Sequence, residues 1–347
     1  MAACTSTEYL DVDNLEPEIV INAQMTADEA VHTIHLSTSS RSKVSPVPTG
    51  SVTVSINSGA PIMTTWQAPE DGYEEYSSSK YIFTDKLNPG DVIEITGSDG
   101  THTAKATVTV PQAPDLLGVE YNHDVKHANA SGSILDIGGD YYYGDDWPYA
   151  EEPPYSPQAW HEIKVKFRDK SGEDSFYRIR VYVHTKLTTD EDIEEYYSYI
   201  GLDTSSEPVL STATSSDGGL LDTIAEESNR YGLFTDDLFK DKEYTLKLYF
   251  QESEIINGRF YIGGDGHWDE ETNKWVLDPL PEGWTYESEI LVRLYSISHD
   301  QYIYLKALGL DDDLGFLFSE PVSIPSNVEG GMGFVNVDSY KEVRMDL

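Results

Sequence analysis

The sequence predicts a mainly β protein: a smaller N-terminal sandwich of immunoglobulin or fibronectin type, then a larger C-terminal sandwich with helical insertions. Three observations carry this. Short apolar runs with period two recur along the chain, separated by Gly, Pro and Asp turn pairs. The 24 tyrosines and the 12% aromatic content are a supply that strands use and disordered chains lack. At 347 residues there is chain enough for two separate cores. The expected division is a tether over residues 1–16, a first sandwich over 17–111 and a second domain over 112–347.

In the first module the strands are expected at Glu18–Ala23, His32–Leu36, Gly50–Asn57, Tyr81–Thr84, Asp91–Thr96 and His102–Val110. Pro89-Gly90 and Asp99-Gly100 supply the turns, the second of hairpin type. His32 and His35 fall on opposite faces of one strand, which makes them a poor metal pair and suits capped or solvated side chains. Pro111 to Pro114 reads as a linker, and Leu117 to Tyr121 opens the second region as a strand.

The run from Gly138 to Trp160 is GGDYYYGDDWPYAEEPPYSPQAW, with five Tyr, two Trp, four Pro and five acids. Its prolines forbid a regular helix or central strand, so it is expected to be a long loop. Long loops in compact domains are usually functional or disordered. Flat aromatic faces beside carboxylates suit a sugar, a peptide or a cation. Tyr141, Tyr142, Tyr143, Trp147 and Trp160 are the candidate stacking surfaces, with Asp145 and Asp146 as acceptors. The plainer alternative is that Tyr141, Trp147 and Trp160 cap the open end of a sandwich.

Further on, Ile163, Val165 and Phe167 alternate with Lys164, Lys166 and Arg168. Tyr177, Ile179, Val181 and Val183 alternate with Arg178, Arg180, Tyr182 and His184 beyond a turn at 171–174. This predicts a hairpin with one oily and one basic face. The acidic run Thr188 to Ile200 reads as a helix that would neutralise the basic face, with an anionic ligand as the alternative. Tyr244 to Gln251 is a strand, and Thr235 caps a turn at 236–239. The Trp- and Gly-rich excursion from Ile262 to Trp284 is turn-rich, and its acids at Asp265, Asp269, Glu270 and Glu271 lack the spacing of an EF-hand. Ile290, Val292 and Leu294 mark another strand; Ser298 is an N-cap, Tyr302, Leu305 and Leu308 lie at helical spacing, and Gly309 ends the helix. Asp311 to Asp313 are then a solvated loop, Pro321 and Pro325 fence a short strand, and a last apolar run spans Phe334 to Val337.

Charge and cysteine bound the function. With 62 acidic against 23 basic residues the formal charge is −39, which repels a phosphate backbone and an anionic bilayer alike. The one cysteine, Cys4, cannot form an internal disulfide. It follows Ala2-Ala3 and precedes a polar, acidic stretch, so it reads as the acylated cysteine at a lipoprotein processing site, with Met1 as an added start and Thr5 to Glu16 as the leash. No Gly-x-Ser-x-Gly elbow or His-Glu-x-x-His run is present, and the local pairs His267/Asp265 and His299/Asp300 lack a third member. No metal site, cofactor or catalytic group is expected. A glycoside hydrolase remains open in principle, because its carboxylate pair needs geometry rather than spacing.

Five segments also resemble one family. LVRLYSISHDQYIYLKAL (residues 291–308) followed by EPVSIPSNVEGGMGF (residues 320–334) is similar to the closing signature of Bacteroidota lipoproteins catalogued as domain of unknown function family 4249. Gly232 to Phe239 resembles that family's F-S-D-x-x-F segment, and Phe176 to Val181 its Y-Y-R-L-R-V strand. Pro48 to Val54 and Leu87 to Pro111 resemble its first module. The resemblance implies a lipoprotein anchored to the outer membrane through Cys4, on its surface or periplasmic face. It also implies a non-enzymatic binding or accessory subunit of a TonB-dependent nutrient transporter, with a small molecule, glycan or peptide as ligand. A structural or adhesive surface protein is the alternative.

Overall fold

The computed structural model describes residues 17–40, 43–47, 49–67, 78–125, 160–169, 172–189, 192–204, 206–212, 229, 231–251, 266–269, 274–277, 282–314 and 324–347. Among them are twenty strands and two helices, so the chain is mainly β as its composition predicts. The tether with Cys4 and the stretch 138–159 lie outside the described residues.

The first sandwich uses β1 (Ile19–Thr26), β2 (Val31–Ser40), β3 (Lys43–Pro46), β6 (Thr65–Gln67) and β7 (Ser79–Thr84) in one sheet. Facing it are β4 (Ser51–Ile56), β5 (Ile62–Met63), β8 (Val92–Ser98) and β9 (Thr103–Thr109). Alternation does the work: Ile19, Ile21, Ala23 and Met25 all point inward from β1 and meet Ile93, Ile95, Ala104 and Ala106 of the other sheet. The β8–β9 hairpin closes at Asp99-Gly100, with Gly100 at φ 95°. Asp99 accepts from the backbone N–H groups of His102 and Thr101, which hold its carboxyl down at about 2. His32 is buried and stacks on Phe83, while His35 bonds Ser78, so the two histidines lie apart.

The second sandwich opens with β10 (Asp115–Val125) and β11 (Trp160–Arg168), then β12 (Phe176–Thr188), β13 (Ile193–Tyr199) and a short helix α1 (Pro208–Thr212). β14 (Leu233–Thr235) and β15 (Glu243–Gln251) follow, then a two-stranded ribbon of β16 (Gly266–Asp269) and β17 (Lys274–Leu277). β18 (Thr285–Ile297) leads into helix α2 (His299–Leu314), and β19 (Val328–Glu329) and β20 (Val335–Asp346) end the chain. One sheet runs β10-β11-β15; facing it is β13-β12-β18-β20, which continues through β20 into the β1-β2-β7-β6 sheet of the first sandwich. Ile163, Val165, Phe167, Leu246, Leu248 and Phe250 form one wall of the core; Ile179, Val181, Val183, Ile290, Val292 and Leu294 form the other. Helix α2 packs Tyr302 and Leu305 on the outer side of the larger sheet, against Tyr295 and Ile297.

Four expectations change. β11 and β12 are not a hairpin: they lie in opposite sheets, and the connection between them bends at Gly172, at φ 62°. A hairpin would have left both oily faces on one side of one sheet, whereas folding β12 over β11 makes them the two walls of a single core. The acidic run at 188–200 is strand β13 rather than a helix, paired to β12 from Tyr182↔Tyr199 to Thr188↔Ile193. Ile193 and three tyrosines favour the pleat, and a helix would have left the end of β12 unpaired. Helix α2 continues through Gly309 and Asp311–Asp313 to Leu314. A Cβ added at Gly309 would lie in ordinary contact, 3.7 Å, with the ring of Tyr231, so this glycine sits inside the helix instead of ending it. The Ile262–Trp284 excursion contains the β16–β17 ribbon. Leu220 to Ser228 and Pro321 to Ser323 lie outside the described residues.

The last strand belongs to both sandwiches. Ala23↔Val335 to Thr26↔Asp338 pair β20 in parallel with β1, and Ser296↔Ser339 to Glu289↔Asp346 pair it antiparallel with β18. β19 adds to β9, and Val328, Val335 and Val337 complete the first core although they are some 220 residues downstream of it. Ser339 Oγ donates to the linker carbonyl of Pro111 at 2.7 Å. The approach needs glycine: a Cβ at Gly331 would strike the carbonyl of Ile19, and one at Gly333, at φ 112°, the carbonyl of Ile21.

Asp338 sits where β20 changes partner. It is 9% exposed, and its Oδ1 has no hydrogen-bond partner, as is also true of Gln301 Oε1 on α2. Burial pushes its carboxyl up to about 6, against bonds from Thr26 and Gln301 and the charge of Arg178. A raised carboxyl pKa stabilises the fold fully below its unfolded value near 4, and the contribution is lost as pH rises through about 6. Two outcomes are expected. Gly333→Ala should cost at least ~3 kcal/mol in urea unfolding, with both sandwiches affected. Between pH 4 and 7 the stability gap of Asp338→Asn over wild type should widen by up to about 3 kcal/mol, read from paired melts.

A candidate ligand-binding site at the end of the second sandwich

Of the seven residues singled out as a binding surface, Trp160 is described; Tyr141, Tyr142, Tyr143, Asp145, Asp146 and Trp147 lie outside the described residues. Trp160 is the first residue of β11 and pairs with Val125 of β10 and Gln251 of β15. The Val125↔Trp160 pair therefore brings together the two ends of the segment 126–159. Whatever that segment carries is attached at one end of the sandwich, the place where β-sandwiches present their loops.

The base beneath it is aromatic on its inner side. Alternation puts Tyr121 and His123 of β10, His161 of β11 and Phe250 of β15 on the core face at the open end. The His161 ring stacks on Phe250 at 5.0 Å, and Tyr121 lies parallel to both, at 5.8 Å from His161 and 6.5 Å from Phe250. His123 tilts against Tyr121 at 4.5 Å and meets the edge of His161 at 6.0 Å. Tyr121 Oη and His161 Nδ1 share a hydrogen bond of 2.9 Å. The rings thus form a stacked shelf that runs from buried Phe250 to exposed His123.

The outer side of the same strand ends is polar. Glu162 accepts from Asn122 Nδ2 at 3.0 Å, from Tyr249 Oη at 2.9 Å and from Lys164 at 3.0 Å, which ties all three strands together. Burial pushes its carboxyl up, but the bonds from Lys164, Tyr249 and Asn122 outweigh that and hold it below the usual range. Farther along this face Glu243 bridges Lys166 and Arg168 and is itself held down at about 2 by those two donors. The basic face of β11 is thus neutralised from within its own sheet, chiefly by β15, rather than by residues 188–200.

The arrangement offers π faces and hydrogen-bonding groups at one edge, and no nucleophile poised beside a base. Among the described residues no cluster of three His, Cys, Asp or Glu could hold a metal, and Asp269 sits opposite Lys274 in the ribbon. His299 and Asp300 are 3.7 Å apart and well exposed at the start of α2. Sequence reading missed Tyr121, His123, His161 and Phe250, because ring residues two apart at a strand end look like ordinary core; only the cross-strand registers Tyr121↔Ile163 and His161↔Phe250 show that they converge. Glu162→Gln is expected to cost about 1–2 kcal/mol in urea unfolding while leaving the far-UV spectrum unchanged, since it removes the charge at a half-buried three-strand junction.

No curated protein matches the chain. Residues 6–344 match the family described as Domain of unknown function (DUF4249). That match covers both sandwiches and all five segments that carry the resemblance, and the chain belongs to the DUF4249 family.

Proposed function

We propose that the protein is a lipoprotein of the outer membrane, anchored through Cys4, that serves as a non-enzymatic binding or accessory subunit of a TonB-dependent nutrient transporter. The observation that carries the binding half of this reading is the Val125↔Trp160 pair. It ties both ends of an aromatic, acidic segment to the strand ends that also carry the Tyr121–His161–Phe250 shelf. Tyr141, Tyr142, Tyr143 and Trp147 would stack on the flat faces of a sugar or peptide, with Asp145 and Asp146 accepting its donors. The anchoring half rests on Ala2-Ala3-Cys4 and the acidic leash behind it. Acyl chains would supply the membrane affinity that a chain of charge −39 does not. The transporter half rests on the family resemblance.

Three experiments separate the anchoring, transporter and binding parts of this reading. The full-length precursor, expressed in a Gram-negative host, should fractionate with membranes, and Cys4→Ser should move it to the soluble fraction; membrane retention of that variant removes the anchor. A mild-detergent pull-down should bring a transporter along in stoichiometric amount, whereas recovery of the protein alone would favour an independent binder or adhesin. On a glycan and peptide array, Trp147→Ala with Tyr142→Ala should lose at least tenfold in affinity for any ligand the wild type retains.

A further inference from the structure

The outer face of the sheet β13-β12-β18-β20 holds a second feature, remote from the loop base. Arg178 and Arg180 lie two residues apart on the same face of β12. The register places Arg180 directly opposite Arg293 of β18, and Arg178 opposite Tyr295. Like charges set opposite one another repel, so each guanidinium needs a partner. Arg293 has one: its Nε donates to Glu342 Oε2 at 2.6 Å, one strand over. Arg180 lies over the ring of Tyr199 at 4.4 Å and over that of Tyr231 at 5.4 Å.

Arg178 is different. Its Nε donates to the backbone carbonyl of Tyr231 at 3.2 Å, and its guanidinium is 5.8 Å from each of the rings of Tyr231 and Tyr295, near the outer limit of a cation–π contact. Among the described residues no carboxylate forms an ion pair with it, and its two terminal nitrogens make no hydrogen bond. Burial depresses its pKa, and the charge of Arg180 adds to that. The one carboxyl that feels it, Asp338, is itself buried and sits beyond ion-pair reach. Scarcity of acids is no explanation in a chain with 62 of them. A recessed cation that keeps no anionic partner is costly unless something else completes it.

We propose that Arg178, with Arg180 beside it, is the receptor for a small oxyanion, a carboxylate or phosphate group. With Nε already committed to Tyr231, the free terminal pair of Arg178 offers the end-on fork that grips two oxygens of a carboxylate or phosphate. Arg180 supplies a second positive charge, and Tyr231 and Tyr295 wall the site with ring faces. The backbone bond of Arg178 holds the fork in place before the anion arrives, which lowers the ordering cost of binding. A phosphate ester and a carboxylate-bearing metabolite or glycan share this chemistry. The proposal is independent of the loop at 126–159, so neither reading stands or falls with the other.

The test is thermal unfolding and isothermal titration of the full chain with inorganic phosphate and, separately, with succinate. Sodium chloride at matched ionic strength is the control. Wild type should show a saturable rise in melting temperature with one or both probes beyond the chloride control. Arg178→Gln should abolish the saturable part, and Arg178→Lys, which keeps the charge but loses the fork, should weaken binding roughly tenfold. A response to phosphate alone assigns a phosphate site, and to succinate alone a carboxylate site. Equal rises in wild type and Arg178→Gln, or rises that chloride reproduces, would leave an adventitious ion only and overturn the proposal. If Arg178→Gln does not fold, the Arg178→Lys titration decides: unchanged affinity rejects the fork.

Discussion

The double pairing of β20 is the constraint on which the rest of the structure depends. One strand cannot serve two sheets unless its first half lies in parallel beside β1 and its second half antiparallel beside β18, with the change of partner between Asp338 and Ser339. That places the first half of the last strand inside the core of the N-terminal sandwich, where Val335 and Val337 are buried beside Ile21 and Met25. It also explains the glycines before it: at Gly331 and Gly333 the backbone runs so close to Ile19 and Ile21 that no side chain fits there. Sequence-distant pairing of this kind forms late, because loop closure must precede any reward from contact. Neither sandwich has its full set of strands until the last residues arrive.

The same strand sets the electrostatics of the joint. Asp338 is carried into an apolar junction by the pairing of β20, not by a partner of its own, and Gln301 of α2 and Arg178 of β12 are brought to it from other elements. The charged groups on the outer face continue the network along the sheet: Arg293 meets Glu342, Arg344 meets both Glu342 and Glu289, and Glu289 meets His184. On the small sheet Glu162 and Glu243 do the equivalent for the cations of β11. A chain with so large an excess of acid thus pairs several of its described cations across strands, whereas Arg178 has no carboxylate partner among the described residues.

Much of the fold could be read from residue order. Twelve strands could be placed from residue order, among them β1, β4, β8 and β12, and the turns at Gly90 and Gly100 appear where Pro-Gly and Asp-Gly predict them. Ser298 caps α2 through its bond to the N–H of Gln301, as its position predicts. Reading failed where local preference and tertiary demand diverge. The acids of residues 188–200 favour a helix in isolation, but β12 offered Tyr182 to Thr188 for pairing and the segment became its neighbour. Gly309 looks like a stop, yet helix α2 runs on because its contacts with the sheet outweigh one residue's propensity. The candidate site was legible as composition, through its aromatic and acidic run and Trp160, and illegible as geometry, because the shelf of Tyr121, His123, His161 and Phe250 depends on register.

By itself the sequence determined the class: strand periodicity, aromatic supply and turn chemistry are local, and they act over a few residues whatever the rest of the chain does. It also determined the family, since five short segments in order identify a lineage without any contact between them. Which strand lies beside which was decided only in the tertiary structure. A run of alternating apolar residues specifies that one face is buried, but several partners could bury it, and the choice follows from closing two cores at once. That choice made β11 and β12 opposite walls instead of a hairpin, gave β20 to both sandwiches and, among the described residues, left the guanidinium of Arg178 without a carboxylate.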